Sequence, residues 1–377
     1  MSQVYNSFWV KCVLIVFFGV LMQENASYVL IEGDKMDESS VGSVQTPQVE
    51  NVRSKRTIMN KKKLWKFGVI PYEIDMTAGF DFNQIDDIKA AMKHWEVLTC
   101  IIFVERHQIE NLDYIRFTKI LECTCCSDIG NIGDRQVVGV TNCGGVGGII
   151  HEIGHVIGFH HEFQRPDRDE YIEIIEDEPS YEDLFLSLFF DSPSKKLSPG
   201  EFDTLGEPYD FDSIMHEYIE TFTVQPKERK NGIVPKMGRN ERLSAIDIRK
   251  TKKLYKCPEC GKTYSDKTGA FTSPQYYNNN SINRKYYCEW RIKAIKGERI
   301  LLDITDLDTF DSSNCLNDYL EIYDGYWHKS PLLARFCGAE IPGHIASSEN
   351  HMFIIYVSNQ TEHEHRGFAA NYETFHD

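Results

Sequence analysis

The sequence predicts an α+β fold that gives way to an all-β sandwich. Three observations carry that prediction. Strand-like alternation and an amphipathic helix occur together between Leu64 and Val97, further strands lead to a histidine-rich helical segment at His151, and helical periodicity disappears beyond Cys260. A chain of 377 residues is long enough for two or three such domains. Its formal net charge of −16 argues against nucleic acid as a partner, since binding phosphates requires a basic surface.

The first element is an apolar run, Cys12 to Met22, preceded by Lys11 and followed by polar Gln23 to Ser27. It is shorter than the roughly 20 residues of a membrane span and fits the apolar core of a secretory signal rather than an anchor. We assign residues 1–26 to that signal, with cleavage expected between Val20 and Ala26 and a secreted, extracellular product. Removing it takes away Cys12 and leaves ten of the 11 cysteines, an even number that predicts five disulfides and no free thiol. Residues 27–56 are polar, poor in aromatics and end in Arg53-Ser54-Lys55-Arg56, the pattern of a pro-segment closed by a basic cleavage site for an activating protease.

Globular patterning starts at Leu64-Trp65. Gly68 to Ile74 alternates and reads as a strand; Phe82 to Val97 places Ile85, Ile88, Ala91, Met92 and Trp95 on one helical face, with Asp81 or Asn83 as N-cap. Ile101 to Val104, Tyr114 to Phe117 and Gln136 to Val140 read as strands, the last two flanking a loop that contains Cys and Gly. Ser244 to Lys256 reads as a closing helix, and Cys257-Pro258-Glu259-Cys260 marks the domain boundary. Arg299 to Ile304, Tyr319 to Tyr323 and Met352 to Val357 are strands of the sandwich.

One segment carries most of the chemistry: His151-Glu152-Ile153-Gly154-His155, followed by Gly158 and His160-His161. Residues four apart on a helix lie about 40° apart around the axis and about 6 Å along it, so His151 and His155 point to one side and suit two ligands of one zinc ion. Gly158 can take positive φ, end the helix and let the chain return a third donor, His161, with His160 as a neighbour. Three protein ligands leave a fourth position for water, the mark of a catalytic zinc. Glu152 shares the helix but cannot easily bind the same ion, which places it as general base.

The whole of His151 to Asp169, HEIGHVIGFHHEFQRPDRD, fits HExxHxxGxxHExxRxDRD and resembles the astacin family of metzincin endopeptidases. Ser213-Ile214-Met215-His216 is similar to the family's Met-turn. The resemblance implies a two-lobed metzincin catalytic domain with a long zinc-binding helix over residues 57–257, one Zn2+ per catalytic domain, His151, His155 and His161 as metal ligands and Glu152 as the catalytic residue. Residues 260–373 resemble a CUB domain, through Phe271 to Pro274, Cys288-Glu289-Trp290, Asp318 to Ile322, Cys337-Gly338 and Gly367-Phe368. By family pattern the bridges are Cys100 to Cys257, Cys123 to Cys143, Cys260 to Cys288 and Cys315 to Cys337. Adjacent Cys125-Cys126 resemble the vicinal pair of the tolloid and procollagen C-proteinase branch. Ile31-Glu32-Gly33-Asp34 is similar to the family's latency motif, which implies that Asp34 takes the open zinc position in the precursor.

Three departures stand out. Where the family has tyrosine after the Met-turn histidine, this chain has Glu217, with Tyr218 next. Either Tyr218 reaches the metal, or Glu217 is the extra ligand, or the fifth-ligand role is absent. Gly144 to Gly148, read as a loop, lacks the branch's lysine, so a preference for acidic residues after the scissile bond does not carry over. Of the calcium ligands of CUB domains only Asp318 matches, with Phe310 and Asn359 at the other places, which argues against calcium.

Elsewhere, His363-Glu364-His365 with His344, His351 and His376 reads as solvated surface rather than a second metal site, and Asn25, Asn279 and Asn359 begin glycosylation sequons. The expectation is a latent, secreted zinc endopeptidase acting on extracellular proteins such as matrix proteins or growth-factor precursors, without nucleic acid and without a membrane span. The alternative is a catalytically weak extracellular binding protein that acts through its CUB domain, and Glu217 is its support.

Overall fold

The computed structural model describes residues 63–107, 112–121, 123–176, 195–216, 222–227, 232, 234–235, 237, 241–277, 285–359 and 365–376. The signal and pro-segment assignments, with Asn25, Asp34 and the basic tetrad, lie outside the described residues, as do Glu217, Tyr218, Asn279, His363 and Glu364.

In the N-terminal part, β1 (Val69–Ile74), β2 (Ile102–Glu105), β3 (Tyr114–Thr118), β4 (Cys125–Ser127) and β5 (Arg135–Val140) form one sheet in the order β2-β1-β3-β5-β4. All pairings are parallel except β4 with β5. Helix α1 (Phe82–Leu98) takes Asp81 rather than Asn83 as its cap: the Asp81 carboxylate accepts from Gln84 N at 2.8 Å while Gln84 Oε1 accepts from Asp81 N at 3.2 Å. Ile88, Ala91, Met92 and Trp95 of α1 are buried against the sheet and against α2 (Val146–Ile157), the histidine-bearing helix. Below them lie the paired strands β6 (Ile172–Glu176) and β7 (Phe222–Pro226) and the closing helix α3 (Ala245–Tyr255). Helix α3 ends on left-handed Lys256, and Cys257 beyond it is bonded to Cys100 at the foot of β2.

The C-terminal part is a sandwich of two sheets. One contains β8 (Thr263–Tyr264), β10 (Tyr286–Lys293), β12 (Tyr319–Asp324), β13 (Leu332–Phe336) and β15 (His351–Ser358). The other contains β9 (Thr268–Thr272), β11 (Arg299–Asp308), β14 (Ile345–Ala346) and β16 (Gly367–Phe375). Trp290, Phe271 and Phe368 meet between them, with ring centroids 5.3 to 5.8 Å apart. Asp318, the one expected calcium ligand, accepts from Ser358 Oγ at 3.0 Å and Asn359 N at 2.9 Å. Among the described residues no helix is long and apolar enough to cross a membrane.

The cysteines correct one expectation. Cys100–Cys257, Cys260–Cys288 and Cys315–Cys337 are bonded as the resemblance implied, but Cys125 pairs with Cys143 and Cys126 with Cys123. The reason is the unforeseen strand β4. Neighbouring side chains of a strand point to opposite faces. Cys125 therefore faces α2, with Sγ 4.0 Å from Gly148 O, and meets Cys143 at that helix's entrance. Cys126 faces the other way, 3.1 Å from where a Cβ on Gly139 would sit, and bonds to Cys123 on that side.

Mass spectrometry of the unreduced, proteolysed chain is expected to find Cys125 linked to Cys143 and Cys123 linked to Cys126; a Cys123–Cys143 fragment would reverse the assignment. A second expectation concerns acid. Burial, with a smaller push from Lys293, lowers His351 to about 4 from the ordinary 6.5, and its Nε2 is buried without a partner among the described residues. The fold thus holds the neutral ring, while the unfolded chain takes up a proton as pH drops through 6.5. Stability from this group is full above that value and is lost as pH falls towards 4. His351→Gln is expected to flatten the dependence of unfolding midpoint on pH across that window, and an unchanged slope would refute it.

Candidate metal centre

Helix α2 is buried from Ile149 to Ile157, with side chains on every side meeting protein rather than water. Its entry explains the glycines before it. Gly145 has φ of 102°, and Gly148 sits in the first turn, where a Cβ would fall 1.9 Å from Cys143 O. The stretch from Gly144 to Gly148, read as one loop, is therefore two loop residues followed by the start of the helix. At the other end Gly158, with φ of 120°, stops the helix and donates from its N–H to Gly154 O and His155 O. The chain then doubles back and delivers His161.

The structure brings His151, His155 and His161 together. Their Nε2 atoms lie 3.1, 3.2 and 3.1 Å apart, close to the ~3.3 Å edge expected between ligands about 2.0–2.1 Å from a tetrahedral zinc. Two of the rings are held by backbone acceptors: His151 Nδ1 donates to Ile214 O at 2.7 Å, and His155 Nδ1 to Phe159 O at 2.7 Å. A carbonyl can only accept, so the proton sits on Nδ1 and the Nε2 lone pair faces inward. Burial, with the His151 and His161 rings close by, pushes His155 well below the ordinary range and keeps it neutral. The Phe163 ring stacks on His161 with centroids 4.9 Å apart. Imidazoles converging through Nε2 are the donor set that zinc prefers. His160 stays out of the cluster, its ring towards Phe202, and burial lowers it to about 4.

Glu152 is buried at 4% exposure beside this cluster, at the open edge of the sheet. Ser127 Oγ of β4 lies 2.7 Å from its Oε2 and 2.9 Å from its backbone oxygen, so the edge strand and the carboxylate hold each other in place. Below the cluster, Ser213 to His216 form a tight turn. Met215 packs under α2 so closely that a Cβ on Gly154 would sit 2.4 Å from its Sδ. The Met215 carbonyl also accepts from Glu162 N at 2.9 Å, tying the turn to the residue after His161.

Asp247, in the first turn of α3, anchors that turn. Its carboxylate accepts from Ser213 Oγ at 2.6 Å and Ile214 N at 2.8 Å, and closes a capping box with Ser244. The Ser-x-x-Asp spacing announces the cap, but nothing local announces the link to Ser213. Ser127 and Tyr209, whose hydroxyl lies 2.8 Å from His216 Nε2, were equally invisible to spacing. Glu162, Arg165 and Lys250 complete the support as a buried ionic cluster: Lys250 Nζ lies 2.6 Å and Arg165 3.1 Å from the Glu162 carboxylate.

Residues 57–256 match the Astacin peptidase family and residues 260–372 match the CUB domain. Tolloid-like protein 1 of Mus musculus is 39% identical over 94% of this chain and 36% of its own length. Bone morphogenetic protein 1 of Xenopus laevis is 42% identical over 83% of this chain and 43% of its own. The chain spans about a third of the length of the tolloid-like relatives it matches. Among solved structures, high choriolytic enzyme 1, a hatching enzyme zinc-protease from Oryzias latipes, matches with 29% identity and a TM-score of 0.43, over 53% of this chain and 98% of that one.

Gly154→Ala is expected to force α2 and the Met215 turn apart. Overpacking of that kind costs roughly 1–3 kcal/mol. Calorimetry should show a lower unfolding midpoint together with weaker zinc retention, and an unchanged midpoint would mean that the turn gives way freely.

Proposed function

Because the chain belongs to the astacin family of peptidases, joined to a CUB domain, we propose that it is a secreted zinc-dependent endopeptidase that hydrolyses peptide bonds in extracellular proteins. The observation that carries this reading is the convergence of three Nε2 atoms with the Glu152 carboxylate alongside. In it, His151, His155 and His161 are the metal ligands and Glu152 is the catalytic residue.

Zinc, which His151, His155 and His161 would hold, would supply a Lewis acid that activates water for attack on a carbonyl. The remaining work falls to the protein. Glu152, oriented by Ser127, takes the proton from the attacking water and hands it to the departing amine nitrogen. Among the described residues strand β4 pairs only through one side, with β5, so its other side can add a substrate strand and bring an extended peptide past Glu152. Buried carbonyl partners keep His151 and His155 in the tautomer that presents Nε2.

The precursor is read as a signal over residues 1–26, a pro-segment over 27–56 that places Asp34 at the metal until cleavage after Arg56, the catalytic domain over 57–257 and the CUB domain over 260–373. Matrix proteins and growth-factor precursors are the substrate class that suits an extracellular enzyme of this build.

Cleavage of a denatured protein by the pro-segment-free chain tests the proposal. Glu152→Ala is expected to lower kcat/KM by about 10²–10⁴-fold with zinc still bound, and a chelator should abolish activity that added zinc restores. A folded, zinc-loaded wild-type chain that cleaves nothing would favour the binding-protein alternative and direct attention to Glu217.

A further inference from the structure

The sheet of the astacin domain ends at β2, whose outer side has no strand partner among the described residues. An open edge of this kind leaves backbone groups to be satisfied by other means. At Phe103 both are taken. Its N–H donates to Glu96 Oε1 of α1 at 2.8 Å, and its carbonyl accepts from Lys293 Nζ at 2.9 Å. Lys293 belongs to the CUB domain, at the end of β10, and the same ammonium lies 3.2 Å from Glu96 Oε1. The Glu96 side chain is 6% exposed, and among the described residues Lys293 is its only ion-pair partner. A carboxylate so buried costs stability unless it is matched by a cation.

The rest of the contact agrees. Tyr326 and Trp327, in the turn after β12, pack on Val69, Ile102 and Val104, and Phe67 meets His328 with ring centroids 4.3 Å apart. Only Pro258 and Glu259 separate Cys257 from Cys260, and both cysteines are bonded into their own domains. A link that short keeps the effective concentration of one domain beside the other high. Glu96 also adjoins Trp95, whose indole N–H donates to Ile150 O at 3.1 Å, one residue before His151.

We propose that the CUB domain is a built-in clamp on the catalytic domain: Lys293 seats on Glu96 and the Phe103 carbonyl, and so holds α1 against the helix that presents His151 and His155. Lys293 is in this sense a positioning residue, and the inference rests on the reading of those histidines as metal ligands.

The test uses the full chain. Lys293→Met is compared with Lys296→Met, which removes a neighbouring exposed pair with Glu105, and with the double variant Glu96→Gln/Lys293→Met. Two quantities are read: the unfolding midpoint of the metal-stripped chain, and the rate at which a chelator removes zinc from the loaded chain. Lys293→Met should lower the midpoint by about 3 °C or more and speed zinc loss several-fold. Lys296→Met should change neither. The double variant should recover most of the midpoint, because glutamine still accepts from Phe103 N–H and needs no cation, but should still lose zinc faster than wild type, because no ammonium then joins α1 and the Phe103 carbonyl to the CUB domain.

Midpoints and zinc-loss rates that match between Lys293→Met and Lys296→Met would overturn the clamp. A lowered midpoint with unchanged zinc loss would overturn its link to the metal centre. If Lys293→Met fails to fold, Lys293→Arg, expected to behave as wild type, and the double variant decide the matter. A wild-type chain that retains no zinc would sink the metal-centre reading, while the midpoints still judge the clamp.

Discussion

The arrangement on which the rest depends is the convergence of three imidazole nitrogens within 3.2 Å of one another in a buried site. Lone pairs brought that close repel, and those of His151 and His155 have given up their water to be there. Such a cluster costs free energy in the fold unless a cation sits among the nitrogens, so the protein must hold the rings by other means. It does so from behind. The Ile214 and Phe159 carbonyls take the Nδ1 protons of His151 and His155, and the Phe163 ring lies flat on His161. In the proposed metal centre, affinity would be built from bonds that never touch the metal.

Each of those backing groups needs an anchor. Ile214 is fixed by Asp247, which is in turn the N-terminal cap partner of α3. One carboxylate thus ends a helix and sets the height of the turn below the histidines. Phe159 is placed by Gly158, whose left-handed backbone only glycine takes without strain. Gly154 is required for another reason: any side chain there would occupy the space of the Met215 sulfur. The ionic cluster of Glu162, Arg165 and Lys250 is best read as registration rather than gain, since charges removed from water seldom repay their desolvation. It joins the residue after His161 to α3, so both ends of the histidine segment hang from one helix.

What could be read from the residues follows from the range of the forces involved. The histidine spacing, the stop at Gly158 and the amphipathic face of α1 are local and periodic, and the structure places those residues as that periodicity requires, except that Ile85, in the first turn of α1, is only partly buried and stays outside the core. Strand β4 is three residues long, too short for alternation to announce it, and it is what sends Cys125 and Cys126 to opposite faces, against the pairing that the family resemblance implied. Asp247 with Ser213, Ser127 with Glu152 and Lys293 with Glu96 join residues 34, 25 and 197 apart in sequence. Each looks locally like an ordinary surface or capping residue. Their roles exist only once the chain has folded.

The two edges of the first sheet show how one architectural problem receives two answers. Every open sheet has two outer strands with unpaired backbone groups, and each is a template for another strand. At β4 that template lies next to Glu152, where the proposed function places an extended peptide, and the edge strand is kept in place by disulfides at Cys125 and Cys126 and by Ser127. At β2 a second peptide would be a liability. There the Phe103 N–H is taken by Glu96 and its carbonyl by Lys293, while Tyr326 and Trp327 cover the face beside it. An edge closed by a neighbouring domain cannot compete for substrate, and the charge that closes it is the one Glu96 needs. The order β2-β1-β3-β5-β4 puts the closed edge and the open one at opposite ends of the sheet, so the domain that closes one leaves the other free for the substrate strand of the proposed function.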